Sequence, residues 1–307
     1  MSSGKDVETA SVEPLASTAL PALRLSCQHR RAKRPYTTQK PIYEIEPRAH
    51  DALPWSAMAE TPAPELSLTT TVRDWWRENS ARDRFFPTLK RFVSILWEFA
   101  RESTPARRRQ RYGDVEYDWD LRVDTTGATV GCRDRLLGHF HSPYQPTEPA
   151  LFREMLASLI EASPKIDFRE FTFIDIGSGK GRALLMAAEY PFRRILGIEL
   201  LPALHRIAQE NIKKYKSDSQ QCFAIDRLLG DACDFPFPLE PTVLYLFNPL
   251  PESGLARMLS NLEHSLREHP RPVLVLYHNP LLEPVLTLSV TFKKIAGTHQ
   301  YSIFWGS

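Results

Sequence analysis

The 307-residue chain carries 42% hydrophobic and 25% charged residues, the composition of an ordinary globular protein and not of a chain disordered throughout. Lys and Arg number 39 against 37 Asp and Glu, for a formal charge of +2, too balanced for a protein that lives on phosphate contacts. Its apolar runs reach only strand length and no charged-then-apolar leader opens it, so no membrane partner is expected and a reduced, cytoplasmic setting is.

The 25 prolines and 13 glycines are unevenly placed, with only Gly4 ahead of Gly113. Residues 1–66 hold eight prolines and no sustained apolar period, so they read as a disordered arm. Its basic cluster Arg30-Arg31-Ala32-Lys33-Arg34 fits a solvated charge run better than a targeting or nucleic-acid patch. Residues 67–143 read as a helical and loop extension. From Thr71 to about Ala106 the pattern is helical, and Leu89, Phe92, Val93, Leu96 and Ala100 form one stripe that should pack on the following domain. Trp75, Trp76, Phe85, Phe86 and Trp97 add a heavy aromatic load, which fits packing on the neighbouring domain better than lining a substrate site. Arg107-Arg108-Arg109-Gln110-Arg111 reads as a solvated loop. Residues 113–143, with Tyr117-Asp118-Trp119-Asp120 and Asp124-Thr125-Thr126-Gly127, read as polar turns. His139 and His141 lack the further ligands that a metal needs, and the four cysteines show no C-x-x-C spacing, so neither metal nor disulfide is expected.

After Pro149 helices and strands alternate. A helix over Ala150–Ala162 precedes a strand over Phe171–Ile176, a helix from about Lys180 to Tyr190, and a strand over Arg194–Glu199. A helix over Pro202–Tyr215 leads to strands near Phe223–Leu229 and over Thr242–Phe247. A helix over Glu252–Glu268 and a strand over Val273–Tyr277 follow. Two short strands near Ser289–Ala296 and Tyr301–Trp305 close the chain. Continuous apolar strands such as Val243-Leu244-Tyr245-Leu246-Phe247 are expected where helices cover both faces of a sheet, which makes this an α/β, doubly wound, mostly parallel domain over residues 144–307.

The chemistry gathers at the strand ends. Asp175-Ile176-Gly177-Ser178-Gly179-Lys180-Gly181 ends the first strand in glycines at offsets 0, 2 and 4, where backbone can turn and a ligand can approach without a Cβ in its way. The dinucleotide fingerprint needs offsets 0, 2 and 5, and offset 5 is Arg182. Glu199 ends the second strand, 18 residues after Gly181, where an acid can accept from ribose hydroxyls or simply favour a helix N-terminus. Gly230-Asp231-Ala232 follows the third strand, where Asp231 can accept from an adenine amino group or merely form an Asp turn. Together they describe a nucleoside pocket.

These motifs, in register with the strands, are similar to those of class I, Rossmann-like S-adenosylmethionine-dependent methyltransferases, from about Tyr144 to Trp305. The resemblance implies a seven-stranded sheet ending in a reversed hairpin, and S-adenosyl-L-methionine as cofactor. Gly177 and Gly179 would flank the methionine portion, with Ser178 and Gly181 in the same turn. Asp175 would position that turn and the cofactor's amino group. Glu199 would hold the ribose, and Asp231 with Ala232 the adenine. At the fourth strand, Asn248-Pro249-Leu250-Pro251 departs from the Asn/Asp-Pro-Pro-aromatic pattern of nucleobase and amide N-methylating enzymes. A nucleobase acceptor is therefore not expected, and Asn248 would sit beside the sulfonium or orient the acceptor. The loop Tyr144-Gln145-Pro146-Thr147 resembles the cofactor-covering loop of Rossmann-type histone lysine methyltransferases. Tyr144 and Thr147 would then touch the cofactor, with Tyr144 also orienting the acceptor, unless Thr147 serves only as an N-cap. The implied reaction is methyl transfer to an unidentified acceptor, with residues 67–143 as lid or acceptor wall. A non-catalytic cofactor-binding module and a nicotinamide-dependent oxidoreductase remain as alternatives.

Overall fold

A computed structural model describes residues 67–83, 85–104, 115–126, 131–140 and 142–307. The expectations for the arm 1–66, for Arg30–Arg34, for Arg107–Arg111 and for His141 lie outside the described residues.

Seven strands form one sheet: β1 (Thr172–Ile176), β2 (Arg194–Glu199), β3 (Ile225–Leu229), β4 (Thr242–Leu246), β5 (Val273–His278), β6 (Lys293–Gly297) and β7 (Tyr301–Gly306). Their order is β3-β2-β1-β4-β5-β7-β6. The first five run parallel, while β7 is antiparallel to both β5 and β6. This is the doubly wound sheet with a reversed closing hairpin. Strands β1 and β4 are buried along their whole length, because helices cover both faces. On one face Phe173, Val243, Tyr245 and Leu276 pack beneath α5 (Pro149–Ala162) and α6 (Arg182–Ala187). On the other, Ile174, Leu196, Leu244 and Val275 pack beneath α8 (Glu252–Glu268). That helix buries Leu255, Met258, Leu259, Leu262 and Leu266, the stripe its 3.6-residue period dictates. The expected strand near Ser289–Ala296 begins only at Lys293, and a short helix α9 (Glu283–Thr287) precedes it.

Ahead of the sheet lie α1 (Leu68–Arg82), α2 (Phe85–Glu102), α3 (Val115–Leu121) and α4 (Cys132–Phe140). The helical stretch expected from Thr71 onward is thus two helices. Pro87 falls in the first turn of α2, where its missing N–H would have had no helical partner. The expected packing face of α2 is wrong. Leu89, Val93 and Leu96 are 38%, 55% and 40% exposed, whereas Thr88 is fully buried and Phe92 packs on Trp75 and Phe140. Of the five aromatic residues assigned to this packing, Phe85, Phe86 and Trp97 are exposed. Apolar side chains occupy more than half of this helix's circumference, so periodicity alone cannot say which side meets α4. Helix α4 draws the Phe92–Phe99 side instead, with Phe99 against His139 and Glu102 bonded to His139 Nε2 at 2.8 Å.

Candidate active site

A cleft of about 890 Å³, its open solvent included, lies at the carboxyl ends of β1, β2, β3 and β4. That position is where the strand order reverses and where doubly wound sheets bind ligands. Its wall takes Asp175, Gly177, Ser178 and Gly179 after β1, Glu199 from β2, and Asp231 with Ala232 after β3. Tyr144 and Thr147 cover it from the loop before α5. Nine of the residues singled out from the sequence therefore converge, while Gly181 and Asn248 do not line the cleft.

The turn after β1 is built from left-handed backbone, with φ of 74° at Gly177 and 55° at Gly179. A Cβ on Gly177 would lie 2.7 Å from Pro249 Cβ, and one on Gly179 would collide with the Cδ2–Cε2 edge of the Tyr144 ring. Glycine is required here both by conformation and by the closeness of the opposite wall. Gly181 is left-handed too, but it caps α6 and approaches Ala208 of α7 (Pro202–Lys214). Its role is helix packing behind the turn.

Two buried carboxylates face this turn. Glu199 Oε2 accepts from Gly179 N at 2.8 Å and Oε1 from Leu201 N at 2.7 Å. Burial pushes its pKa up to about 6, against the opposing pull of those backbone donors. Asp175 is 3% exposed and lines the cleft with no hydrogen bond to its carboxylate among the described residues. Burial and the neighbouring Glu199 charge hold its pKa well above the ordinary carboxylate range. A buried carboxylate without donors is costly unless a ligand supplies them. Asp231 is exposed and accepts from Cys233 N at 2.9 Å, the Asp turn that was one of its two readings.

Thr147 is not the N-cap of α5. That position belongs to Glu148, and the Thr147 hydroxyl instead lies 2.8 Å from Tyr245 Oη. Tyr144 donates its hydroxyl to Thr125 O at 2.5 Å, and burial drives its pKa far up. Its one proton is thus committed to Thr125, and what it offers the cleft is its ring, not a general base. The Asn248 amide is turned away from the cleft, donating to Asn279 O at 2.6 Å and accepting from Tyr277 Oη at 3.0 Å. Its φ of 46° is left-handed, and its carbonyl takes the Ser142 hydroxyl at 2.6 Å. Asn248 ties the covering loop to the ends of β4 and β5.

Sequence reasoning missed a buried polar network behind the glycine turn. Lys180 and Arg182 are 0% and 3% exposed. Lys180 Nζ donates to Asp124 Oδ1 at 2.8 Å and to Thr126 O at 2.5 Å. Arg182 pairs with Asp118 at 3.2 Å and donates to Thr125 Oγ1 at 2.5 Å. Asp118 in turn accepts from the backbone N–H groups of Thr125 and Thr126 at 2.7 and 2.8 Å. The side-chain amide of Asn211, on α7, accepts from Asp124 N at 2.8 Å and donates to Asp124 O at 2.7 Å and Lys180 O at 2.9 Å. The segment read as polar turns is thus locked onto the cation-bearing turn. The available signal was two cations flanking Gly181 beside a preceding run with Asp118, Asp120 and Asp124.

Fold and site together define a doubly wound α/β domain with a reversed closing hairpin and a cleft at its switch point. No family model matches the chain, and no curated protein matches it. Solved structures similar to it include an RNA methyltransferase from Salinibacter ruber in complex with S-adenosyl-L-homocysteine, at 20% identity, 52% of this chain, 92% of that chain and TM-score 0.35. A ribosomal protein L11 methylase from Lactobacillus delbrueckii subsp. bulgaricus is similar at 15% identity, over 51% and 78% of the two chains, TM-score 0.36. A predicted N6-adenine-specific DNA methylase from Listeria monocytogenes is similar at 14% identity, over 53% and 51%, TM-score 0.39.

Proposed function

We propose that the protein is an S-adenosylmethionine-dependent methyltransferase. The observation that carries this reading is the pairing of a turn with no room for a Cβ with two buried carboxylates, one of them with no donor among the described residues. The residues fit the cofactor. Gly177, Ser178 and Gly179 admit its methionine portion, and Asp175 takes its amino group. Glu199 accepts from the ribose hydroxyls with lone pairs left by Gly179 and Leu201. Asp231 accepts from the adenine amino group beside the small Ala232.

The cofactor supplies an activated methyl group, so the protein's work is orientation and exclusion of water. Tyr144 closes the cleft over Gly179, and Asn248 braces the covering loop through Ser142. The acceptor side is assigned to the extension ahead of the sheet, of which 115–126 is fixed against the glycine turn through Lys180 and Arg182. The acceptor is a protein side chain or a small molecule rather than a nucleobase. Supporting this, Leu250 and Pro251 offer no aromatic ring for a base to stack on, and the Asn248 amide is committed to Tyr277 and Asn279.

Incubation of the protein with tritiated S-adenosylmethionine and fractionated cell lysate tests both parts. Label is expected in protein or small molecules. Label entering RNA or DNA would overturn the acceptor reading, and transfer to no fraction would overturn the enzymatic one.

A further inference from the structure

His278, at the end of β5, takes no part in the binding scheme above, although it stands directly behind the cleft wall. It is 6% exposed, and its Nδ1 lies 2.9 Å from Tyr245 Oη. Tyr245 Oη lies in turn 2.8 Å from Thr147 Oγ1. The imidazole also stacks on Phe247, with ring centroids 3.8 Å apart and planes at 24°. Thr147, Tyr245 and Phe247 all line the cleft, and His278 does not. It therefore acts on the cleft only through them.

The polarity of this chain matters. Burial lowers the His278 pKa to about 4, so near neutral pH the ring is neutral and offers one acceptor nitrogen. Burial raises the pKa of Tyr245 well above that of free tyrosine, so its hydroxyl keeps its proton and must donate somewhere. With Nδ1 as acceptor, Tyr245 donates to His278 and Thr147 donates to Tyr245. The oxygen of Thr147 then meets the cleft with lone pairs only. The opposite tautomer would aim the Thr147 proton into the cleft, where it would face the charged amino group of an amino-acid ligand.

We propose that His278 is a positioning residue that orients the Tyr245–Thr147 pair, so that Thr147 presents an acceptor to a cationic N–H donor in the cleft. This rests on the reading of the cleft as the S-adenosylmethionine site. The donor is the amino group of the cofactor's amino-acid portion, held between Thr147 and Asp175.

Titration calorimetry with S-adenosylhomocysteine tests it, using wild type, His278→Phe, His278→Asn, Thr147→Val and the double variant Thr147→Val/His278→Phe. His278→Phe keeps a ring on Phe247 but loses the acceptor, and should weaken binding about tenfold. His278→Asn loses the ring but can place an oxygen near the Nδ1 position, and should stay within about threefold of wild type. In the Thr147→Val background, adding His278→Phe should cost less than about twofold, because the route through Thr147 is already cut. Wild-type affinity in His278→Phe, equal losses in the Phe and Asn variants, or additive losses in the double variant would overturn the proposal. In the unaltered protein, ¹⁵N resonances should show His278 Nδ1 unprotonated at neutral pH, and a protonated Nδ1 would overturn it without any variant. A wild-type protein that binds no S-adenosylhomocysteine would instead overturn the reading of the cleft.

Discussion

Segment 115–126 and the α1–α2 hairpin both precede the sheet domain, yet they meet it by opposite means. The segment is rich in carboxylates and hydroxyls, and it buries them: Asp118, Thr125 and Thr126 are each at most 9% exposed, locked to Arg182 and Lys180. The hairpin is rich in aromatic and aliphatic residues, and it leaves Phe85, Phe86, Val93 and Trp97 more than half exposed. Burial thus follows partner availability more than side-chain polarity. Two cations at the entrance of α6 cannot lie buried without anions, and segment 115–126 supplies them. An apolar helix packed on α1 and α4 covers only the faces those partners touch.

This contrast is open to measurement. Asp118→Ala removes the carboxylate paired with buried Arg182, and should lower unfolding free energy by about 3–5 kcal/mol in urea titrations. A change below about 1 kcal/mol would mean that the latch is not a stabilising element. Asp124→Ala should cost less, about 1–3 kcal/mol, because Lys180 still has Thr126 O; its side chain is 39% exposed, and solvent screens part of the ion pair. The latch also presents Gly179 to Glu199, whose raised pKa sets a pH dependence. Cofactor hydroxyls donate to the ionised carboxylate, so affinity should be full above the pKa of about 6 and fall as pH drops through it. Binding at pH 5 should be about tenfold weaker than at pH 8. Affinity that is flat or rising toward pH 5 would exclude an ionised Glu199 as the ribose acceptor. At the exposed hairpin, Trp97→Ser should change stability by less than about 0.5 kcal/mol. A loss above about 2 kcal/mol would show that the face is covered in solution.

The sequence made the sheet domain legible because each element there obeys one constraint at a time. Continuous apolar strands and single-faced helices such as Leu255–Leu266 leave one arrangement that buries everything. The tight turn at Gly177 and Gly179 was legible for a related reason, since alternate glycines after an apolar strand mark backbone that must turn through left-handed conformations. Segment 115–126 was not legible, because its partners Lys180, Arg182 and Asn211 are 54 to 87 residues distant in the chain. Nothing local shows that a run of carboxylates will be neutralised rather than solvated. The α2 face failed for the converse reason: the helix is apolar on too many sides for its period to choose. Only the alternative N-cap reading of Thr147 was off, by one residue, at a helix start where Pro149 takes the first helical position and Glu148 the cap.

The most direct test is titration calorimetry of the whole chain with S-adenosylmethionine, alongside Gly179→Arg and Glu199→Ala. A single site should appear in wild type, vanish in Gly179→Arg as the new side chain fills the cradle against Tyr144, and weaken by at least about tenfold in Glu199→Ala. Absence of binding by the wild-type chain, or wild-type affinity in both variants, would contradict the account.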